Sequence, residues 1–157
     1  MDKIRATPSF RGRRAATPAA RRAAQGASKK TDTSCELVLR RALWASGFRY
    51  RLHHSEVPGR PDLVFMRQRI AVFCDGDFWH GRNLDARVAR LARGHNAPYW
   101  TEKITKNVAR DRFVTKRLTA EGWRVIRLWE TDISRDPWGA VAIIAKELMA
   151  RDGRPLR

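Results

Sequence analysis

The chain has 157 residues, with 33 Lys+Arg against 16 Asp+Glu and a formal net charge of +17. That length gives one domain with a real core. The charge favours a polyanionic partner: DNA, RNA or an acidic membrane surface. No apolar stretch approaches the roughly 18 residues of a membrane span, and the amino-terminal region lacks the apolar segment of a secretory signal. Cys35 and Cys74 form no C-x-x-C pair, which gives no support to a cysteine-built zinc site. They leave one disulfide open and fit a reduced cytoplasmic protein better. Six Trp and clustered Asp, Glu and His argue against a purely structural binder of the ribosomal or histone type.

Residues 1–31 carry nine Lys and Arg (positions 3, 5, 11, 13, 14, 21, 22, 29 and 30) and one acid, Asp2, a balance of +8. Apolar periodicity is absent there, so the stretch reads as a flexible basic arm that neutralises phosphates without reading sequence. The folded domain is expected over 32–157. Thr33-Ser34-Cys35-Glu36 fits a capping box. Cys35, Val38, Leu39, Ala42 and Leu43 form the stripe of a helix that Gly47 ends. Glu36 lies at the stripe's edge, either as a capping partner alone or as a carboxylate aimed at a sheet packed on the helix. Phe48 to His53 alternates with period two, which predicts a half-buried strand. His53 and His54 fall at its end and carry no assigned chemistry.

Gly59-Arg60-Pro61-Asp62 turns the chain into Leu63-Val64-Phe65, Met66 to Arg69 reverse it, and Ile70 to Phe73 form a second apolar run ending at Cys74-Asp75-Gly76. Two short runs bounded by turn residues predict a hairpin covered on both faces. Asp62 then opens one strand and Asp75 closes its antiparallel neighbour, so both acids fall at the same end of the sheet. Two acids meeting there repel unless a cation lies between them, and hard oxygen ligands suit Mg²⁺. Either acid alone reads as a loop carboxylate. With Phe78-Trp79-His80 beside them, two aromatics and a titratable ring, they form a candidate site.

Residues 81–97 are polar, with a short helix expected over 84–93. A long helix follows, Pro98 standing in its first turn after Asn96 and Gly122 stopping it. Its stripe of Ile104, Val108, Asp111, Thr115 and Leu118 puts Asp111 in line with buried positions, where a carboxylate needs an Arg, a His or a metal-bound water. Lys103, Lys106 and Arg110 on this helix are candidate phosphate contacts, though each alone reads as well as part of a solvated face. Trp123 to Trp129 predicts a fourth strand with Glu130 at its end. Asp132 to Pro137 read as a turn, and a last helix over 137–149 carries Trp138, Val141, Ile144, Ala145 and Leu148 on one face.

The order α-β-β-β-α-β-α, a mixed central sheet flanked by helices with Pro-Asp opening the second strand, resembles the restriction-endonuclease-like PD-(D/E)XK nucleases. Over residues 31–132 the chain more specifically resembles the very short patch repair (Vsr) endonucleases, which nick DNA beside a T:G mismatch. The resemblance is carried by Gly47 to His53, Val57 to Asp62, Val72 to Gly81, Tyr99-Trp100, Glu102-Lys103-Ile104, Lys106-Asn107-Val108, Arg110-Asp111-Arg112, and Gly122 to Val125 running into Trp129-Glu130. It implies a metal-binding role for Asp62, completed by the backbone carbonyl of Cys74, with Asp75 holding metal-bound water. It implies that His80 is the catalytic histidine, supported by Glu36 and Asp111, and that Phe78, Trp79 and Trp100 wedge into the duplex at the mispair. Members of the family often carry a structural zinc. Here Asp77 and Thr131 stand at its Cys positions, so no zinc is expected, and ion pairs from Asp77 or Asp132 to Arg82 are the expected substitute.

The expected function is Mg²⁺-dependent nicking of one DNA strand beside a T:G mismatch, in very short patch repair. The alternatives are a nuclease on the same scaffold with another DNA target, as in restriction or defence, and a non-catalytic DNA-binding module. Double-stranded DNA is the expected partner, with mismatch-repair proteins beside it. The chain is expected to act as a monomer, in the cytoplasm and associated with the nucleoid.

Overall fold

A computed structural model describes Pro18, residues 31–92 and residues 97–152. Residues 1–30 of the basic arm, Pro18 apart, and residues 93–96, with Asn96 and the expected end of the short helix, lie outside the described residues. Thr33 caps the first helix, α1 (Ser34–Ala45), its hydroxyl accepting the Glu36 N–H at 3.4 Å. The capping box departs from its reciprocal form. Glu36 accepts from the Asp32 N–H at 3.0 Å and from the Thr33 hydroxyl at 2.8 Å. Gly47, at φ +84, supplies the left-handed residue that ends the helix.

The alternating stretch after α1 forms a strand, β1 (Arg51–Leu52), much shorter than expected and exposed at both residues. It is an edge strand, paired only with β2 (Leu63–Phe65). Phe48 and Tyr50 pack on the core without joining the ladder, so the alternation there records burial rather than pairing. β2 and β3 (Ile70–Asp75) make the expected hairpin, Leu63 opposite Val72 and Phe65 opposite Ile70. Two helices, α2 (Leu84–Leu91) and α3 (Ala97–Ala120), carry the chain back, and β4 (Arg124–Trp129) runs parallel to β3. A parallel return needs such a crossover. The sheet order is β1-β2-β3-β4.

The segment expected to turn after β4 winds instead into a short helix, α4 (Glu130–Arg135), anchored by the fully buried Ile133. In the last helix, α5 (Pro137–Asp152), Val141, Ile144 and Leu148 are buried as expected, but Trp138 is 61% exposed. Ala140, not Trp138, starts the buried stripe.

Helices cover both faces of the sheet. Leu63, Phe65, Ile70, Val72, Ile126 and Leu128 pack with α1 and α5, while Val64, Ala71 and Phe73 meet Leu118 of α3. Leu39, Leu43, Leu63, Ile70 and Ile144 are fully buried, each worth about 1.5–3 kcal/mol of transfer. The hairpin that carries the acids is therefore fixed to the most deeply buried part of the molecule. The period of two then sorts the end of β3: Cys74 packs on the α1–α5 side and Asp75 points to the α3 side. The architecture is an α/β restriction-endonuclease-like fold.

Candidate active site

The loop after β3 folds back, the His80 N–H donating to the Gly76 carbonyl at 3.1 Å. Gly81, at φ +73, lets that loop close on α3, because a Cβ there would lie 2.6 Å from Val108 Cγ2. Asp111, three residues further along α3, meets the imidazole: His80 Nδ1 lies 2.6 Å from Asp111 Oδ2 and 3.5 Å from Asp75 Oδ1. Burial works against the imidazolium, but the Asp111 hydrogen bond and the charges of Asp75 and Asp111 outweigh it, so the His80 pKa is raised.

Asp111 also has an arginine. Arg127 Nη1 stands 2.8 Å from both Asp75 oxygens, and Nη2 stands 3.5 Å from Asp111 Oδ1. Asp75 is only 4% exposed, and both its oxygens are engaged by this guanidinium. The sequence reading gave Arg127 no role. The signal was present in the alternation of β4, which sets Arg127 on the same face as Val125, toward α3, where a cation needs carboxylates.

Asp62 Oδ2 accepts the Cys74 N–H at 2.7 Å, so the hairpin sets these two side by side. Burial pushes the Asp62 carboxyl up to about 6; the Cys74 N–H pulls it down, and the charges of Glu36 and Asp75 push it further up. Continuing the β2–β3 register by two residues sets Pro61 opposite Cys74. Proline has no N–H, so residue 61 offers the end of β3 no ladder donor. A buried carboxylate and a backbone carbonyl are hard oxygen donors, the kind that would suit a divalent cation.

The contacts of Glu36 lie away from His80: its partners are Asp32, Thr33 and Arg40, whose Nη2 donates to Glu36 Oε2 at 2.8 Å. A carboxylate in the first turn is claimed by the helix's own N–H groups and by the arginine one turn on. The same Arg40 Nη2 lies 3.0 Å from His53 Nε2, and His53 Nδ1 lies 3.9 Å from Asp62 Oδ1. The pairing of Leu52 with Leu63 is what sets His53 opposite Asp62. Among the described residues, two sets of side chains bring ligand atoms within 4.8 Å of one another: Asp75, His80 and Asp111, and Asp32, Glu36 and His53.

Phe78, Trp79 and Trp100 converge, with ring centroids 4.9 to 5.9 Å apart. The Lys103 ammonium lies 4.9 Å from the Trp79 ring centre, and Lys106 is paired with Glu102 at 2.8 Å. Arg110 is exposed and unpaired among the described residues. A groove of about 420 Å³ opens beside His80, lined by Asp75, Asp111, Arg112, Lys116 and Arg127. Across the loop, Arg82 donates to Asp77 at 3.2 Å and to Asp132 at 3.0 Å, and the Thr131 hydroxyl donates to Asp77. This clamp ties the aromatic loop to α4. Its central member is a cation, so the cluster does not fit a zinc ion.

The family model described as DNA mismatch endonuclease Vsr matches residues 14–86. A type II nicking enzyme of Neisseria meningitidis serogroup C, V.NmeDIP, is 41% identical over 120 residues, covering 76% of this chain and 80% of that protein. This chain belongs to the Vsr endonuclease family. The type II nicking enzyme V.HpaIIP of Haemophilus parainfluenzae is 40% identical over 113 residues, 72% of this chain and 79% of that one. The DNA mismatch endonuclease Vsr of Escherichia coli K12 is 38% identical over 99 residues, 63% of this chain and 62% of that one. As a Vsr-family member the chain is a DNA endonuclease that acts on DNA and uses a divalent metal. Among the described residues, no helix is long and apolar enough to cross a membrane.

Proposed function

We propose that this endonuclease nicks one strand of duplex DNA beside a T:G mispair with Mg²⁺, in very short patch repair. The reading is carried by one loop, which presents Phe78 and Trp79 next to a His80 held by Asp111. Asp62 and the Cys74 carbonyl would hold the metal, whose charge polarises the phosphate and makes bound water more acidic. With Nδ1 committed to Asp111, His80 moves or orients a proton at Nε2. Arg127 bridges the two carboxylates, 2.8 Å from Asp75 and 3.5 Å from Asp111. Phe78, Trp79 and Trp100 offer apolar faces to an opened base step; unstacking costs a few kcal/mol, least at a mispair. Lys103, Lys106 and Arg110 line the approach and contact phosphate, with Lys106 first leaving Glu102. Residues 1–31 add sequence-independent phosphate contacts. The enzyme works as a monomer at the nucleoid, alongside mismatch-repair proteins.

The relatives' names favour a second reading. V.NmeDIP and V.HpaIIP are type II nicking enzymes, which suits a restriction or defence setting with another DNA target. A panel of labelled duplexes, identical except for T:G, A:C or T:A at one position, separates the two under single-turnover conditions with Mg²⁺. The proposal predicts one nick beside the T:G pair alone. Equal nicking of the T:A duplex supports the second reading.

A further inference from the structure

We infer that His53 is a positioning residue for the Asp62 carboxylate. Arg40 Nη2 lies 3.0 Å from His53 Nε2. A guanidinium has only donors and stays protonated, so Nε2 accepts and bears no proton. The ring's one proton is therefore on Nδ1. That nitrogen faces Asp62 Oδ1 at 3.9 Å, a separation that a modest turn of the carboxylate closes to hydrogen-bond length. The other oxygen, Oδ2, is already held by the Cys74 N–H at 2.7 Å. The carboxylate is held by β3 on one side and faced by His53 Nδ1, at 3.9 Å, on the other.

Arg40 is itself fixed. Asp32 and Glu36 hold its two terminal nitrogens, and the Tyr50 hydroxyl donates to its carbonyl at 2.9 Å. Arg40 is 8% exposed, so it presents its donor to His53 from one direction. The backbone of His53 points the same way. Its N–H donates to the Asp62 carbonyl at 3.5 Å, and its φ of +44 takes the chain out of β1 at that residue. A non-glycine residue in that region is strained, and the surrounding contacts must hold it. The network from Asp32 and Glu36 through Arg40 and His53 ends on Asp62. Partners of this kind orient a metal-binding carboxylate and raise its affinity.

This inference rests on the reading of Asp62 as the metal ligand. Mg²⁺ binding to DNA-free protein is measured by titration calorimetry and by the Mg²⁺-induced shift in melting temperature. Nicking at saturating DNA is measured beside it, for the parent, His53→Leu, His53→Gln and Asp62→Asn. Leucine removes both polar ends of the ring, whereas glutamine keeps an acceptor for Arg40 and a donor for Asp62. His53→Leu should weaken Mg²⁺ binding about tenfold and lower kcat while leaving KM for DNA unchanged, and His53→Gln should recover most of the loss. Parental Mg²⁺ binding by His53→Leu would overturn the inference, as would a glutamine variant no better than the leucine one. The melting shift is read relative to each variant's own metal-free value, so a less stable leucine variant still decides. If Asp62→Asn abolishes Mg²⁺ binding while His53→Leu binds as the parent does, only His53 is wrongly assigned. If Asp62→Asn binds Mg²⁺ unchanged, the ligand reading itself fails.

Discussion

His80 Nδ1 and Asp111 Oδ2 stand 2.6 Å apart, joining the loop after β3 to the middle of α3. The contact fixes which ring nitrogen is left for chemistry and raises the His80 pKa against the opposing effect of burial. In Asp111→Asn the charge is gone and burial is less opposed, so the His80 pKa should fall. An NMR pH titration of the imidazole checks the direction. His80→Ala should lower kcat by about 10²–10⁴-fold, and Asp111→Asn by less, because the ring remains.

Arg127 is set on a buried acid, and its removal leaves Asp75 uncompensated at 6% side-chain exposure. Breaking one half of such a pair costs about 3–5 kcal/mol; a guanidinium that is 22% exposed puts the expected loss at the lower end. Arg127→Met should therefore destabilise the metal-free protein by about 3 kcal/mol in urea unfolding. Adding Asp75→Asn to it should restore a substantial part of the loss. Simple additivity of the two changes would contradict this coupling.

Asp62 gives a pH dependence with a definite sign. Its folded pKa, about 6, lies above the ordinary 3.8, so the folded state binds this proton more tightly. The stability of the metal-free protein then falls as pH rises from about 4 through about 6, and the cost, up to about 3 kcal/mol, is fully present above that window. Asp62→Asn should be more stable than the parent at pH 7.5 by this route, and the difference should vanish near pH 4. Urea melts at the two pH values test it; a difference that does not change with pH would contradict it.

The hairpin and the long helix were legible because short apolar runs, Pro-Asp and stop glycines act locally, whereas Cys74 was set beside Asp62 by the family resemblance alone. Asp111 was legible as an acid in an apolar stripe that calls for an Arg or a His, and the resemblance paired it with His80; Arg127 was not legible, since it comes from β4. Arg127 and His53 escaped for the same reason: each acquires its role from a cross-strand register or a facing helix. For Glu36 the resemblance supplies a role beside His80, while in the structure the start of α1 and Arg40 hold its carboxylate. β1 fell short of its alternation because an edge strand buries side chains without completing a ladder, and α4 wound where a turn was expected because Ile133 had a buried site to fill.

The clamp of Arg82 with Asp77 and Asp132 makes the aromatic loop dependent on charge. Arg82→Ala should speed hydrogen exchange of the amides of residues 76–83 and weaken mismatch preference, while the core amides of β3 and β4 keep their protection. High salt should act on the parent in the same direction. Unchanged loop exchange in the variant would mean that the ion pairs do not order the loop.

The central claim, a metal-dependent strand break organised by Asp62, is tested most directly by single-turnover nicking of a labelled T:G duplex by the parent and by Asp62→Ala, each with Mg²⁺ and with EDTA. The account predicts a single nick from the parent with Mg²⁺ and none in the other three reactions. Nicking by Asp62→Ala at the parental rate, or by the parent in EDTA, would contradict it.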